Sequence, residues 1–400
     1  MKYLTLTKAY YHNDNSYSQL YKSRFNAPFT RHFNIDIQEY NHILSYPAFL
    51  CYTEELISLI EIIYKKYEQF LYVVNTVPPV VLHQFALVCI LDEVKSTNDI
   101  EGVHSTRRQI RNILDGVAPH SDRQRSVVMK YQSLTGKTEF HFDTCEDIRS
   151  FYDDFAHEEV IAADPRNKLD GALFRKETVD VEAYPGKVIH QGLHPEEKLI
   201  STLMKSLAVL HDTEIPFLIR IALFHYFFAY IHPFYDGNGR TDRFITSYFL
   251  SRHFHYIVAL RLSVLIKKKR NEYYKLFKEA DSELNKADMT PFVTGFLKMI
   301  IETFDDTTAL LIRKKDQLIK YEAKLDEMLP KDDLLRFIYE ILLQASLFYG
   351  QGITIKSLMD ITKKTRVPIQ HRLNAIPKEH LLIQKINRAN YYKLNMLMFK

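Results

Sequence analysis

Tryptophan is absent from this chain of 400 residues, and cysteine occurs only at Cys51, Cys89 and Cys145. The missing tryptophan carries no functional meaning. Three thiols without metal-type spacing argue against a disulfide scaffold and for a reducing compartment. Long apolar runs are lacking too. The most apolar helical stretch, Ile215 to Ile231, is interrupted by Arg220 and His225 and is too short to span a bilayer, so no membrane role is expected. Met1 to Asp14 holds no apolar signal core, so secretion by that route is not expected, and cytoplasmic is the simplest localisation. No internal repeat or low-complexity tract is evident.

What is present is ordinary globular composition, with 46% apolar and 26% charged residues. The length exceeds what one compact core usually holds, so two or three domains are expected. The net charge of +4 is unevenly placed. Residues 331–400 carry 12 Lys/Arg against 5 Asp/Glu, and the rest of the chain is slightly acidic.

Residues 1 to about 50 are polar and Tyr-rich, with weak periodicity and a loop at Asn13 to Ser16. From Thr53 to Val74, the residues Leu56, Leu59, Ile60, Ile63, Tyr67, Phe70 and Leu71 recur at helical spacing. A second helix is expected from about Val80 to Lys95. Others follow near 104–115, 121–134, 145–161 and 196–211, then at 215–231, 240–253, 270–281 and 290–312. The last continues as a charged connector to Leu329. Between 161 and 196 the texture differs. Thr178 to Val181 and Lys187 to Gln191 flank Ala183-Tyr184-Pro185-Gly186, which predicts a β-hairpin. Pro330 marks the final boundary. Beyond it, helices at 334–347, 354–361 and 368–376 and a hairpin of 381–386 with 391–394 across Asn387-Arg388-Ala389-Asn390 follow the order of a winged helix-turn-helix.

The densest chemistry lies in His232-Pro-Phe-Tyr-Asp236-Gly237-Asn238-Gly239-Arg240-Thr241-Asp242-Arg243. Pro233 disfavours helical geometry at His232. The two glycines let the backbone fold tightly and turn N–H groups toward an anion. A helix starting near Arg240 adds its dipole, and Arg240 and Arg243 share one face of it. An imidazole that titrates near neutrality, a carboxylate suited to Mg²⁺ and an oxyanion cradle suggest phosphoryl or nucleotidyl chemistry. Each residue also has a plainer reading: a helix-terminal His, an Asp in a turn, an Asn that serves only the turn, arginines on a solvated face.

This segment resembles the signature of the Fic family, H-x-F-x-[DE]-G-N-G-R-x-x-R, and every fixed position is present. The likeness extends over roughly residues 90 to 300. It implies a mainly α fold: a Fic core with a β-hairpin flap, an N-terminal helical region and the C-terminal winged helix. The corresponding division is 1–95, a core at 96–312 with its flap at 178–193, a connector at 313–330, and 331–400. The resemblance further implies a protein adenylyltransferase that moves AMP from ATP to a Ser, Thr or Tyr hydroxyl of a target protein, self-modification included. His232 would be the base and Asp236 the Mg²⁺ ligand. Gly237, Asn238, Gly239, Arg240, Thr241, Asp242 and Arg243 would hold the nucleotide, with Val188, Ile189, His190 and Gln191 of the flap lining it. Tyr273 is a candidate adenosine contact, although Tyr273 and Tyr274 equally suit a helix core. Related proteins often carry Asn at the position of Asp281, which leaves a ribose or base contact open. The family's phosphotransferase branch has Lys where this chain has Gly239, so AMP transfer is favoured.

Upstream, Ser96-Thr97-Asn98-Asp99-Ile100-Glu101-Gly102 fits the family's inhibitory pattern [ST]-x-x-x-E-[GN]. By that resemblance Glu101 pairs with Arg243 and occupies the place of the γ-phosphate. The plainer reading of Asn98 and Glu101 is a helix capping box. Alternatives are removal of AMP with Glu101 activating water, and a DNA-binding regulator that uses the core as a ligand sensor. Lys363, Lys364, Arg366 and Arg372 could contact phosphates, but nucleic acid is not the favoured partner of 331–400. Family members often form dimers, and no residue here locates such an interface.

Overall fold

The computed structural model describes residues 3–12, 16–184, 187–329, 332–350, 352–386 and 389–399. The expected turn at Pro185-Gly186, the boundary at Pro330, Asn387-Arg388 of the second hairpin and most of the Asn13–Ser16 loop lie outside the described residues.

Phe217–Ile231 is the axis of the core. Its sequence is apolar on every face, and twelve of its fifteen residues are buried, as such a pattern requires. Around it pack Glu196–His211, Asn238–His253 and the first half of Thr290–Met328. That last helix runs unbroken for 39 residues, so the expected core helix and charged connector are one rod. Its first half also carries Glu54–Val74, whose buried stripe is Leu56, Leu59, Ile63, Phe70 and Val74. Thr53 caps the start of Glu54–Val74, with Glu54 and Glu55 in its first turn.

Pro79–Ile100 extends five residues beyond the expected end at Lys95. Gly102 stops it in a left-handed conformation (φ +71°). Gly102 N–H donates to the Asp99 carbonyl at 3.3 Å, and Val103 N–H donates to the Asn98 carbonyl at 2.9 Å, the Schellman pattern. Asn98 therefore lies near the end of a helix rather than at its start, which removes the capping-box reading.

The N-terminal 50 residues hold more order than weak periodicity suggested. Besides Leu6–Tyr11 and Tyr17–Phe25, the strands Thr30–Gln38 and Ser45–Cys51 pair antiparallel. Phe33, Ile35 and Ile37 face the core between exposed neighbours, a period of two. Short helices at Tyr256–Ala259 and Leu262–Lys268 were likewise not anticipated.

The C-terminal segment contains Asp333–Gln344, Ile355–Thr362 and Arg366–Ala375. An antiparallel sheet of three strands accompanies them, in the order Ile353–Thr354, Ala389–Leu394, Leu381–Ile386. This segment packs on the Pro79–Ile100 helix through Phe85 and Phe348, whose rings lie 6.3 Å apart. Tyr349 donates its hydroxyl to Asp115. Among the described residues no helix is long and apolar enough to cross a membrane.

Candidate active site

The Phe217–Ile231 helix ends because His232, which precedes proline, leaves the right-handed region for φ 54°, ψ 63°. Phe234 then anchors the loop. It is buried and stacks on Tyr152 with ring centroids 3.7 Å apart. The Asn238 amide clasps it from both sides, accepting from Phe234 N–H at 2.8 Å and donating to the Phe234 carbonyl at 2.7 Å. Tyr152 also donates to the Asp236 carbonyl at 3.0 Å. Gly237 (φ +84°) makes the reversal that starts Asn238–His253 two residues before the expected Arg240. The first N–H groups of that helix have no partner within it and present a positive dipole end to any anion.

His232 sits half-buried beside this cradle. Its Nδ1 lies 3.3 Å from the Ala229 carbonyl, a long contact. Burial pushes the imidazole pKa down to about 4, helped by His190 and Arg175 and opposed by the Ala229 carbonyl and Glu101. The ring is therefore neutral at pH 7, as a base must be.

Both motif arginines are buried, and each meets a carboxylate. Arg243 donates through Nε to Thr97 Oγ1 at 2.9 Å and through Nη2 to Glu101 Oε1 at 2.7 Å. Burial opposes both charges of this pair, yet mutual attraction outweighs it: the Glu101 carboxyl is shifted down and the guanidinium up. A Cβ on Gly239 would lie 2.3 Å from Glu101 Oε1, so the carboxylate rests directly against the helix start. Arg240 donates through Nη1 to Glu159 Oε2 at 2.7 Å. Gln124 donates to the other oxygen of Glu159, and Asn98 donates to Gln124 Oε1 at 2.6 Å. The final turn of the Pro79–Ile100 helix thus touches Arg243 directly and Arg240 through two intermediaries. Asp236, Arg240, Glu159 and Gly102 line a cleft of about 360 Å³.

The remaining expected residues divide. Thr241 and Asp242 are buried: Thr241 donates to the Gly237 carbonyl at 2.9 Å, and Asp242 lies 3.1 Å from His225. Their side chains, like that of Asn238, are engaged in holding the loop and helix. Tyr273 is buried, its hydroxyl 2.7 Å from His225 Nε2, which gives it a core role. Asp281 accepts from Tyr226 at 2.6 Å. The flap strands are Asp180–Tyr184 and Lys187–Gln191, paired antiparallel, the first starting two residues later than expected. Val188 is half-buried and Ile189 exposed, while His190 turns inward to the Tyr230 carbonyl at 2.6 Å. Gln191 donates to Asp180 at 2.8 Å.

Three residues of this site escaped sequence reasoning: Tyr152, Glu159 and Arg175. Arg175 is 1% exposed and donates to the His232 carbonyl at 2.9 Å. Its partners lie as far as 57 residues away along the chain, so no local pattern announces it.

Residues 145–250 match the family model described as the Fic/DOC family, a stretch that includes the motif but not Glu101. The chain is 29% identical over 245 residues to Protein adenylyltransferase Fic of Drosophila yakuba and 30% identical over 251 residues to that of Drosophila willistoni. Each alignment covers 58% of this chain and 45% of the relative, so the chain spans about half the length of the curated relatives it matches. A solved Fic family protein from Desulfovibrio desulfuricans G20 superposes with a TM-score of 0.51 at 20% identity, over 86% of this chain and 96% of that one. Residues 145–250 thus carry the match to the Fic/DOC family, in a chain whose fold is shared with a Fic family protein.

Proposed function

We propose that this chain is a protein adenylyltransferase held in check by its own Glu101. One observation carries the reading. A neutral imidazole and two arginines converge on one helix N-terminus, and a carboxylate already grips the arginine that would hold a terminal phosphate. His232 takes the proton from a Ser, Thr or Tyr hydroxyl of the target. That oxygen bonds to the α-phosphorus of ATP as the bond to pyrophosphate breaks. The Asn238–Arg240 backbone and Arg240 receive the developing charge.

Asp236 suits a hard cation. Its Oδ1 accepts from Gly237 N–H at 2.5 Å, and it lines the cleft beside Arg240. Among the described residues no group of three or more His, Cys, Asp or Glu could hold a metal. One carboxylate completed by phosphate oxygens and water is how Mg²⁺ is commonly held. When bound there, the ion would neutralise charge on the phosphates.

Glu101 and ATP compete for one guanidinium, so the parent protein should label weakly. Replacing Glu101 with Gly should raise incorporation from ATP radiolabelled at the α-phosphate at least tenfold, a change of about 1.4 kcal/mol, and adding His232→Ala should abolish it. Equal labelling by the parent and Glu101→Gly would remove the restraint, and labelling that survives His232→Ala would remove the mechanism.

Glu101 also favours a second reading. Its side chain is 25% exposed and its charge is felt at His232, a placement from which it could activate water to remove AMP from a modified target. Release of AMP by the parent and not by Glu101→Gly would select that direction. We further propose residues 331–400 as a winged-helix unit that contacts protein rather than DNA. One of its four candidate phosphate ligands, Arg372, lies 3.4 Å from Asp332, which competes for its charge. Salt-sensitive binding to one DNA sequence, with no nucleotide transfer, would overturn both proposals.

A further inference from the structure

Among the described residues, Arg175 is a buried cation whose hydrogen bonds all go to main-chain carbonyls. Nε donates to His232 at 2.9 Å, Nη1 to Glu177 at 2.6 Å, and Nη2 to Leu193 at 3.0 Å and Ile231 at 3.4 Å. Among the described residues no carboxylate pairs with it. Burial without a counter-charge pulls its pKa down to about 10, an unfavourable placement that a neutral side chain would avoid.

The four carbonyls belong to three pieces of chain: the approach to the flap, the segment leaving it, and the residue pair where the central helix ends. A Cβ on Gly192 would lie 2.3 Å from Arg175 Nη2 and 3.0 Å from His232 Cβ, so guanidinium, flap and imidazole meet there in close contact. His232 itself holds a left-handed backbone that a β-carbon disfavours. The bond from Arg175 to its carbonyl restrains that conformation.

We propose that Arg175 is the positioning residue of this site, fixing the backbone of His232 against the flap and placing a positive charge behind the imidazole. This rests on the adenylyl-transfer reading. The charged or titratable groups felt at His232 are Arg175 from the approach to the flap, His190 from the flap itself and Glu101 from the Pro79–Ile100 helix. Arg175 and His190 favour the neutral ring and Glu101 favours the charged one, so loss of Arg175 should move the acid limb of the rate profile to higher pH.

The test uses the full chain carrying Glu101→Gly, with Arg175→Gln, Arg175→Lys or Gly192→Ala added. Arg175→Gln should lower kcat about 100-fold, as a displaced reacting group does. KM for ATP should change less than twofold, because Arg240 and Arg243 are untouched. The acid limb of kcat/KM should rise. Arg175→Lys keeps the charge and should leave the limb in place with a smaller loss of kcat. Gly192→Ala crowds the guanidinium without removing charge and should lower kcat with the limb unmoved. Unchanged kcat in folded Arg175→Gln overturns the proposal, as does an equal loss in all three variants that tracks their melting temperatures with no shift of the limb. If Glu101→Gly alone does not label, the transfer reading has failed instead.

Discussion

His232 is asked to be a base, and its surroundings keep it unprotonated over the whole physiological range. Burial is the main cause, with His190 and Arg175 adding to it. The Glu101→Gly form loses a carboxylate that favours the charged ring, so the acid limb of its kcat/KM should lie below about 4 and the profile should be flat from there to neutrality, since a base with a lowered pKa is lost only on the acid side. An acid limb near the ordinary histidine value of about 6.5 would place the ring in a wetter setting than described here. Gly239 makes a second residue-scale prediction. A methyl group there would approach the carboxylate of Glu101 to 2.3 Å, so that carboxylate must shift to admit it. On the proposed reading it would also crowd a phosphate held by the start of the Asn238–His253 helix. Gly239→Ala should therefore, on that reading, displace Glu101 without raising activity, and α-phosphate labelling should stay at or below that of the parent. The motif was legible because its residues are contiguous and their backbone demands are local. Arg175 and Glu159 were not, because their partners are distant in sequence. Asn238, Thr241 and Asp242 were read as nucleotide contacts, whereas their side chains hold the shape of the loop and helix.

At the scale of elements, the last turn of the Pro79–Ile100 helix presents Thr97, Asn98 and Glu101 toward the two arginines. Glu159 is the far end of that network and, among the described residues, the carboxylate that ion-pairs with buried Arg240. Replacing Glu159 with Ala removes the ion-pair partner of this buried guanidinium. It should cost about 3 kcal/mol of stability, read as a lower urea midpoint at unchanged slope. Helical periodicity made most of these elements readable, and Glu196–His211 has the limits expected. The hairpin of Thr30–Gln38 with Ser45–Cys51 was missed although Phe33, Ile35 and Ile37 alternate. That signal spans only five residues and is surrounded by polar and aromatic ones, which diluted it. The end of the Pro79–Ile100 helix was placed too early because Ser96 to Asp99 are polar residues that usually face water, whereas Ser96, Thr97 and Asn98 are buried, Thr97 against Arg243.

At the scale of the molecule, the long Thr290–Met328 rod and the Pro79–Ile100 helix both bridge the core and the C-terminal segment. Lys314 on the rod donates to the Leu347 carbonyl at 2.5 Å, while Phe85 on the shorter helix meets Phe348. Removing residues 331–400 would bare Phe85, which is 1% exposed in the whole chain. The truncated protein should bind a dye for apolar surface more strongly and melt lower than the full chain.

Phe85 and Glu101 stand sixteen positions apart on one continuous helix and its cap, a span of about 24 Å at 1.5 Å per residue. A stiff helix does not absorb a push at one end; it transmits a tilt to the other. Whatever grips residues 331–400 therefore holds one end of a lever whose opposite end is the carboxylate proposed to restrain Arg243. Loosening that grip by Phe348→Ala should raise basal labelling severalfold with the active site untouched.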